Sequence, residues 1–258
     1  MSKTHLLRPL TKIFGVVPII LGFLSLSFVV PTVTAQDTII TDRPDFTESG
    51  VSVPKGKVQV EGGFSLVDFG GINVFSLPET LVRIGMKDGL ELRIGIPDYE
   101  DWEFKSGIGN LKIGAKLEID DLLDGWETAA IATIEFPTGD DDIGSDHLSV
   151  DVLLAGGTEL NDIYSFGSQV SVSLSGTDDG VDLGIGGTAV VSRSVAESLS
   201  SFLELAVSIP DFGEMELILH GGMAYLVQKN MQLDVHLGLG LTEESPDILF
   251  GAGFSVIL

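Results

Sequence analysis

The chain has 258 residues and no cysteine. Disulfides and thiolate metal sites are therefore excluded. Basic residues are scarce, with 14 Lys and Arg against 38 Asp and Glu, a formal net charge of −24. Such acidity repels a phosphate backbone, so nucleic acid is excluded as a partner. After residue 35 no apolar run is long enough to span a bilayer as a helix, which excludes a helical inner-membrane protein. The patterns G-x-S-x-G and H-E-x-x-H and the phosphate-binding loop are also absent. Nothing in the sequence calls for a cofactor or a metal.

The one long apolar run, Ile13 to Val30, follows Lys3, Arg8 and Lys12 and precedes Val33-Thr34-Ala35. This is the three-part form of a secretory signal peptide. The run approaches the length of an uncleaved anchor, but Pro18, Gly22, Pro31 and the small-residue site favour cleavage. Residues 1–35 are expected to be removed, leaving Gln36 as the first mature residue. The mature chain then holds 11 Lys and Arg against 38 Asp and Glu, a charge of −27. Its length suits one all-β domain.

From Gly56 to Leu258 one pattern recurs. Leu90-Glu91-Leu92-Arg93-Ile94, Leu111-Lys112-Ile113-Gly114-Ala115-Lys116-Leu117-Glu118 and Met231-Gln232-Leu233-Asp234-Val235-His236-Leu237 alternate apolar with polar residues. Period two gives each strand one apolar and one polar face. Twelve strands are predicted, at about 57–68, 77–86, 89–97, 108–119, 126–136, 148–157, 163–174, 181–192, 199–209, 215–227, 230–241 and 247–258. Each is near the roughly 9–11 residues that a tilted strand needs to cross a bilayer. The stretch 193–207 could also begin a short helix. Tight turns at 86–89 and 227–230 alternate with longer acidic connections at 98–103, 137–147, 177–180, 210–214 and 242–247. The last strand runs to the final residue, as one closing on the first strand would. These features predict an all-β fold: a single transmembrane antiparallel up-and-down β-barrel of about 12 strands. Residues 36–55 lack the alternation and are expected to form a periplasmic or plug segment before a barrel at 56–258.

On this register the candidate pore-lining residues are Glu79, Arg83, Glu91, Arg93, Lys112, Lys116, Glu118, Glu135, Asp151, Glu204, His220, Asp234 and His236. Charges inside a narrow barrel must pair, because an unpaired buried charge is costly. The same ladder can also filter solutes by charge and size. Inward glycines such as Gly251 and Gly253 leave wall without side chains, open to a path, to bulky neighbours or to the N-terminal segment. Asp140, Asp141, Asp142 and Asp146 do not have the spacing of a calcium loop and read as a solvated rim.

The segment Thr41-Asp42-Arg43-Pro44-Asp45-Phe46-Thr47-Glu48-Ser49, with Val53-Pro54-Lys55-Gly56 and Gln59-Val60-Glu61-Gly62-Gly63-Phe64, resembles the opening of a family. These are the transporter-like outer-membrane β-barrels labelled with the meta-pathway of phenol degradation. Leu81-Val82-Arg83-Ile84-Gly85, Phe136-Pro137-Thr138-Gly139 and Asn230-Met231-Gln232-Leu233-Asp234 extend the resemblance over about 41–258. It implies a barrel fold and a channel for aromatic or other small molecules, without a catalytic centre.

The expected function is passive passage or binding of small, partly apolar solutes in a Gram-negative outer membrane. Both termini would be periplasmic. Partners would be outer-membrane lipid, the barrel-assembly machinery and a solute of unknown identity. The alternative is a non-conducting structural or adhesive barrel. A barrel phospholipase, the sharpest enzymatic competitor, would need Ser and His on the lipid-facing rim, whereas His220 and His236 fall on the lumen face.

Overall fold

The computed structural model describes residues 38–258; the signal-peptide reading lies outside the described residues. Fifteen strands form one antiparallel sheet: β1 (Val58–Phe69), β2 (Ile72–Leu77), β3 (Leu81–Lys87), β4 (Leu90–Gly95), β5 (Tyr99–Asp101), β6 (Ser106–Ile108), β7 (Leu111–Glu118), β8 (Glu127–Phe136), β9 (Ser149–Glu159), β10 (Tyr164–Thr177), β11 (Gly180–Ala196), β12 (Leu199–Ile209), β13 (Glu216–Gln228), β14 (Met231–Gly240) and β15 (Ile248–Ile257). β15 pairs with β1, from Gln59 opposite Ile257 to Asp68 opposite Ile248. The sheet is thus closed and has no free edge along that seam.

Twelve staves make the ring. Three of them are interrupted, and each break has a local cause. Pro78 follows β2, and Glu79 takes a positive φ of 47° before β3 resumes. Pro97 separates β4 from β5, and Gly109-Asn110 separates β6 from β7. A proline has no N–H to give the ladder. The upper pieces still pair in the order β1-β2-β5-β6, while the lower pieces pair as β1-β3-β4-β7. Residues 98–103, expected as a loop, therefore include β5, and the turn shrinks to 102–105. The stretch 193–207 is strand on both sides of a turn at Glu197-Ser198, with no helix.

One rim carries the start of β1, the end of β15 and the turns at 88–89, 160–163, 197–198 and 229–230. Gly89 accommodates the first of these with φ 72°. The connection 119–126 lies on the same rim and is not tight. The opposite rim carries 137–148, 210–215 and 241–247, together with the short turns at 70–71 and 178–179.

The burial pattern is inverted relative to a water-soluble domain. The largest fully buried side chains are Arg83, Lys116, His220, Gln59, Glu61, Glu91 and Glu204, whereas Leu117, Val170, Leu205, Val235, Leu237, Phe250 and Phe254 are exposed. An apolar belt outside and charges inside is the solution suited to lipid.

Candidate functional site in the barrel lumen

The interior is organised around residues 38–56, which run inside the ring near the terminal rim. Ile39 N donates to Lys229 O at 2.8 Å at one end, and Gly56 N donates to Gly85 O at 2.8 Å at the other. Between these points the segment touches opposite walls.

The wall formed by β1, β3, β4 and β7 binds it through charge. Arg83 and Arg93 are direct cross-strand partners, an arrangement that repels on its own. Glu91 offsets part of the repulsion, accepting from Arg83 Nε and from Arg93 at 2.9 Å each. Asp42, carried by the segment, supplies the rest. It lies 2.6 Å from Arg93, 3.1 Å from Arg83 and 2.8 Å from Lys116 Nζ. Glu48 adds a two-oxygen contact to Arg93 at 2.8 and 2.9 Å. The segment's backbone is bound as well: Glu61 accepts from Asp42 N, Glu118 from Ser52 N and Glu91 from Val53 N. With all partners present, the charge cluster is both paired and hydrogen-bonded, the condition for burying it.

The facing wall holds the segment mainly through neutral and backbone groups. Glu204 on β12 accepts from Phe46 N at 2.9 Å, Thr47 N at 2.8 Å and Thr47 Oγ1 at 2.6 Å. Thr188 Oγ1 lies 2.6 Å from Thr47 Oγ1, and Gln169 accepts from Glu48 N at 2.9 Å. Glu204 also lies 2.9 Å from His220 Nδ1, and His220 Nε2 lies 2.9 Å from His236 Nδ1. Phe46 stacks on His220 with centroids 4.3 Å apart, and Phe202 meets the same ring edge-on at 5.0 Å. The two histidines thus bond to each other. Among the described residues, no group of three or more His, Asp or Glu is placed to hold an ion.

Two inward glycines shape the seam. A Cβ at Gly253 would lie 2.5 Å from the guanidinium of Arg43, and one at Gly63 would lie 2.7 Å from it. Arg43 occupies that recess and pairs with Asp234 and Glu79, each at 3.2 Å. The recess at Gly251 is filled by the His236 ring.

Beyond the segment, inward side chains are exposed. Lys112 is exposed and pairs with Glu135 at 3.3 Å, and Asp151 is exposed. Below, between the segment and the β8–β13 wall, lies a cavity of about 670 Å³ lined in part by Asp45, Gly157, Ser165, Gly167, Ser192 and Ser200. Thr47 and Glu48, which line this cavity, are residues whose contacts reach Glu204, Thr188 and Gln169.

The segment's carboxyls sit in unlike fields. Burial opposes ionisation of Asp42, but Arg83, Lys116 and Arg93 overcome it and hold the carboxyl well below the usual range. Burial and then the charge of Glu204 push Asp45 well above it. Burial and the Asp42 carboxylate push Glu48 up to about 8.

The thirteen inward candidates fall into distinct groups. Arg83, Glu91, Arg93, Lys116 and Glu118 meet the segment on one wall, and Glu204 and His220 meet it on the other. Glu79 and Asp234 hold Arg43. His236 reaches the segment only through His220. Lys112, Glu135 and Asp151 stand beyond the segment. In the opening motif, Gln232 donates to Thr41 Oγ1 at 3.0 Å, Pro44 is buried and Phe46 is 37 % exposed. Strand periodicity does not reveal Thr47, Glu48, Ser52 or Thr188 as contacts. The signal that could have done so is the trio Asp42, Asp45 and Glu48 set against three inward cations.

Residues 41–258 match the model of a family described as "Putative MetA-pathway of phenol degradation". No curated protein matches the sequence. Among solved structures, an outer membrane channel from Pseudomonas putida F1 is similar at TM-score 0.62 and 14% identity, over 81% of this chain and 97% of that one. The KdgM porin is similar at TM-score 0.55 and 12% identity, over 77% and 98%. The NanC porin is similar at TM-score 0.53 and 9% identity, with the same coverage. At these identities the likeness speaks to the fold, an outer-membrane-type β-barrel.

Proposed function

The chain belongs to that family, and on this premise we propose that it is a passive outer-membrane channel for small, partly apolar molecules, throttled by its own N-terminal segment. The observation that carries the reading is the asymmetry of the segment's attachment. Charge pairs fix it to the β1–β7 wall. On the β8–β13 side Phe46, Thr47 and Glu48 are held by hydrogen bonds and one ring stack, and in this reading those contacts separate the exposed charges at Lys112 and Asp151 from the 670 Å³ cavity. Rearrangement of Phe46–Glu48 alone would join the two spaces.

The wall along that path includes Gly157, Gly167 and Ser192 beside Phe166, Val190 and Phe202. This mixture suits solutes with both apolar and polar parts, and the family's description is compatible with aromatic ones. The terminal rim, with its mostly short turns, is assigned to the periplasm. The acidic connections are assigned to the outside, where they concentrate cations. Outer-membrane lipid and the barrel-assembly machinery are the partners this reading requires. No catalytic step belongs to it, since His220 and His236 lie inside the barrel and away from the lipid-facing rim that a phospholipase would use.

A second reading, a non-conducting structural barrel, is favoured by the buried charge cluster at Asp42. Single-channel recording on the mature chain in planar bilayers separates the two. The channel reading expects small unitary currents, and their absence selects the structural one.

A further inference from the structure

Few basic side chains are left for the surface of this barrel. Of the 11 Lys and Arg after residue 35, Arg43, Arg83, Arg93, Lys112 and Lys116 belong to the lumen. Four of the other six, Lys55, Lys57, Lys87 and Lys229, are exposed on the terminal rim. They share one arc of it. Gly85 N donates to Lys57 O at 3.0 Å, Leu258 N to Val58 O at 2.8 Å and Ile257 N to Asn230 O at 3.0 Å. The β3–β4 turn, the start of β1, the end of β15 and the β13–β14 turn therefore stand side by side. Asp88 is the one acidic side chain in these turns. The other arc has the opposite sign: Asp120, Asp121 and Asp124 after β7, Asp162 after β9 and Glu197 after β11 are exposed. Among the described residues none of the four lysines enters an ion pair. In a chain of net charge −24, four cations gathered without internal partners repel one another and attract anions from outside.

The outer face below this arc is apolar. Lys87 stands opposite Leu90, which stands opposite Leu117, and both Leu117 and Met86 are exposed. Tyr225, Leu233 and Phe254 form a direct cross-strand row on the same side of the barrel, all three exposed. Ammonium groups at the edge of such a belt meet phosphates, while their stems and neighbours meet acyl chains. We infer that this arc is a docking surface for anionic phospholipid head groups of the periplasmic leaflet. The acidic arc repels the same lipids, so the lipid shell is uneven around the barrel. The inference rests on the assignment of this rim to the periplasmic side and makes no use of conduction. A second copy of the chain, offering its acidic arc, is the competing occupant. The two arcs face opposite ways, centred on the β15–β1 seam and on the β9–β10 turn half-way round the ring. Pairing one with the other would build an open row with no closure, which favours lipid.

The test uses the full mature chain in detergent micelles, with phosphatidylglycerol and phosphatidylcholine of identical acyl chains as probes. Native mass spectrometry counts the lipids retained at each concentration. A lysine at a membrane surface contributes about fivefold in affinity for anionic lipid, and Asp88 and screening reduce the sum. Phosphatidylglycerol is therefore expected to bind about tenfold more tightly, with the preference falling as salt rises. It should be lost when Lys55→Gln, Lys57→Gln, Lys87→Gln and Lys229→Gln are combined, with heat-modifiable gel migration confirming the fold. Asp120→Asn with Asp121→Asn, on the other arc, should keep it. As a second readout, the lysine side-chain signals of the wild type, dimethylated with carbon-13, should shift with phosphatidylglycerol at these four positions and not with phosphatidylcholine. Equal binding of the two lipids, or a preference that survives in the quadruple variant, would overturn the surface. So would a lipid-free oligomer that the lysine substitutions dissolve, which would assign the arc to a second copy. A barrel that passes no current keeps this surface, because neither readout depends on conduction.

Discussion

Lys116 on β7 places its ammonium 2.8 and 3.0 Å from the two carboxylate oxygens of Asp42, 74 positions earlier in the chain. The contact joins the barrel wall to the N-terminal segment. It also explains how a wall carrying Arg83, Arg93 and Lys116 so close together can be buried. The segment is part of the electrostatic closure of that wall.

Asp42→Asn removes the shared anion and leaves the three cations facing one another with Glu91, Glu48 and Glu61. Breaking a buried pair from one side typically costs about 3–5 kcal/mol. The expected outcome is a lower urea midpoint for the folded barrel band on gels, together with protease cleavage within residues 38–56. A midpoint unchanged from wild type would show that the cluster does not hold the segment.

The pH dependence of docking follows from Glu48. Its carboxyl is raised to about 8 in the docked state, so the docked state binds more protons than the released one. Stability then falls as pH rises. The contribution is intact below the ordinary carboxyl value of 4.5 and is lost progressively toward pH 8. Asp45 acts in the same direction. Asp42, held low, opposes them only at the acid end, below its ordinary value of 3.8. Protease access to the segment should therefore increase from pH 5 to pH 8, and Glu48→Gln should flatten the profile. A wild-type profile that is flat, or that slopes the other way, contradicts the assignment.

On the outer face, Val235 is 42 % exposed, midway along β14. Val235→Arg should impair insertion, at about 2–4 kcal/mol near the midplane. A fair inward control is Asp151→Arg, beyond the segment. Gln232, on the same strand, is a poor control because its amide holds Thr41 and Arg43 O. Refolding yields into lipid vesicles compare the two variants; equal loss would contradict the burial pattern.

The acidic rim should give currents a weak cation preference that declines as salt screens it. Asp141→Asn with Asp142→Asn should reduce the reversal potential without affecting folding. Asp140 belongs to a different class, because its carboxylate accepts from Ile108 N at 2.8 Å and its N–H donates to Ile108 O. Asp140→Asn is expected to loosen the 137–148 connection. Anion selectivity of the wild type would contradict the polarity assigned to the rim.

Strand number, closure and the inside-out polarity were legible because period two is a property of single strands, visible in Leu90–Ile94 or Met231–Leu237. Interruption of a stave was less so. Asp98 to Glu103 is acidic and reads as a loop, yet Tyr99–Asp101 pairs with both β2 and β6. Neighbours that the sequence does not reveal supply those bonds. The site was half legible. Periodicity marks Arg83, Arg93 and Lys116 as inward, but it cannot say that Asp42 neutralises all three, since residues 38–56 have no period. The His220–His236 bond needs the β13–β14 register, in which His220 stands opposite Gly238 and His236 opposite Gly222.

The central claim is that conduction requires the segment to move away from the β8–β13 wall. The chain has no cysteine, and the hydroxyl oxygens of Thr47 and Thr188 lie 2.6 Å apart, so Thr47→Cys with Thr188→Cys offers a lock at that barrier. Single-channel recording of this double variant before and after reduction is the most direct measurement. Silence or a strongly reduced conductance while oxidised, restored by reductant to wild-type openings, is the expected result. Identical conductance in the two states, with the disulfide verified by mass, would contradict the account.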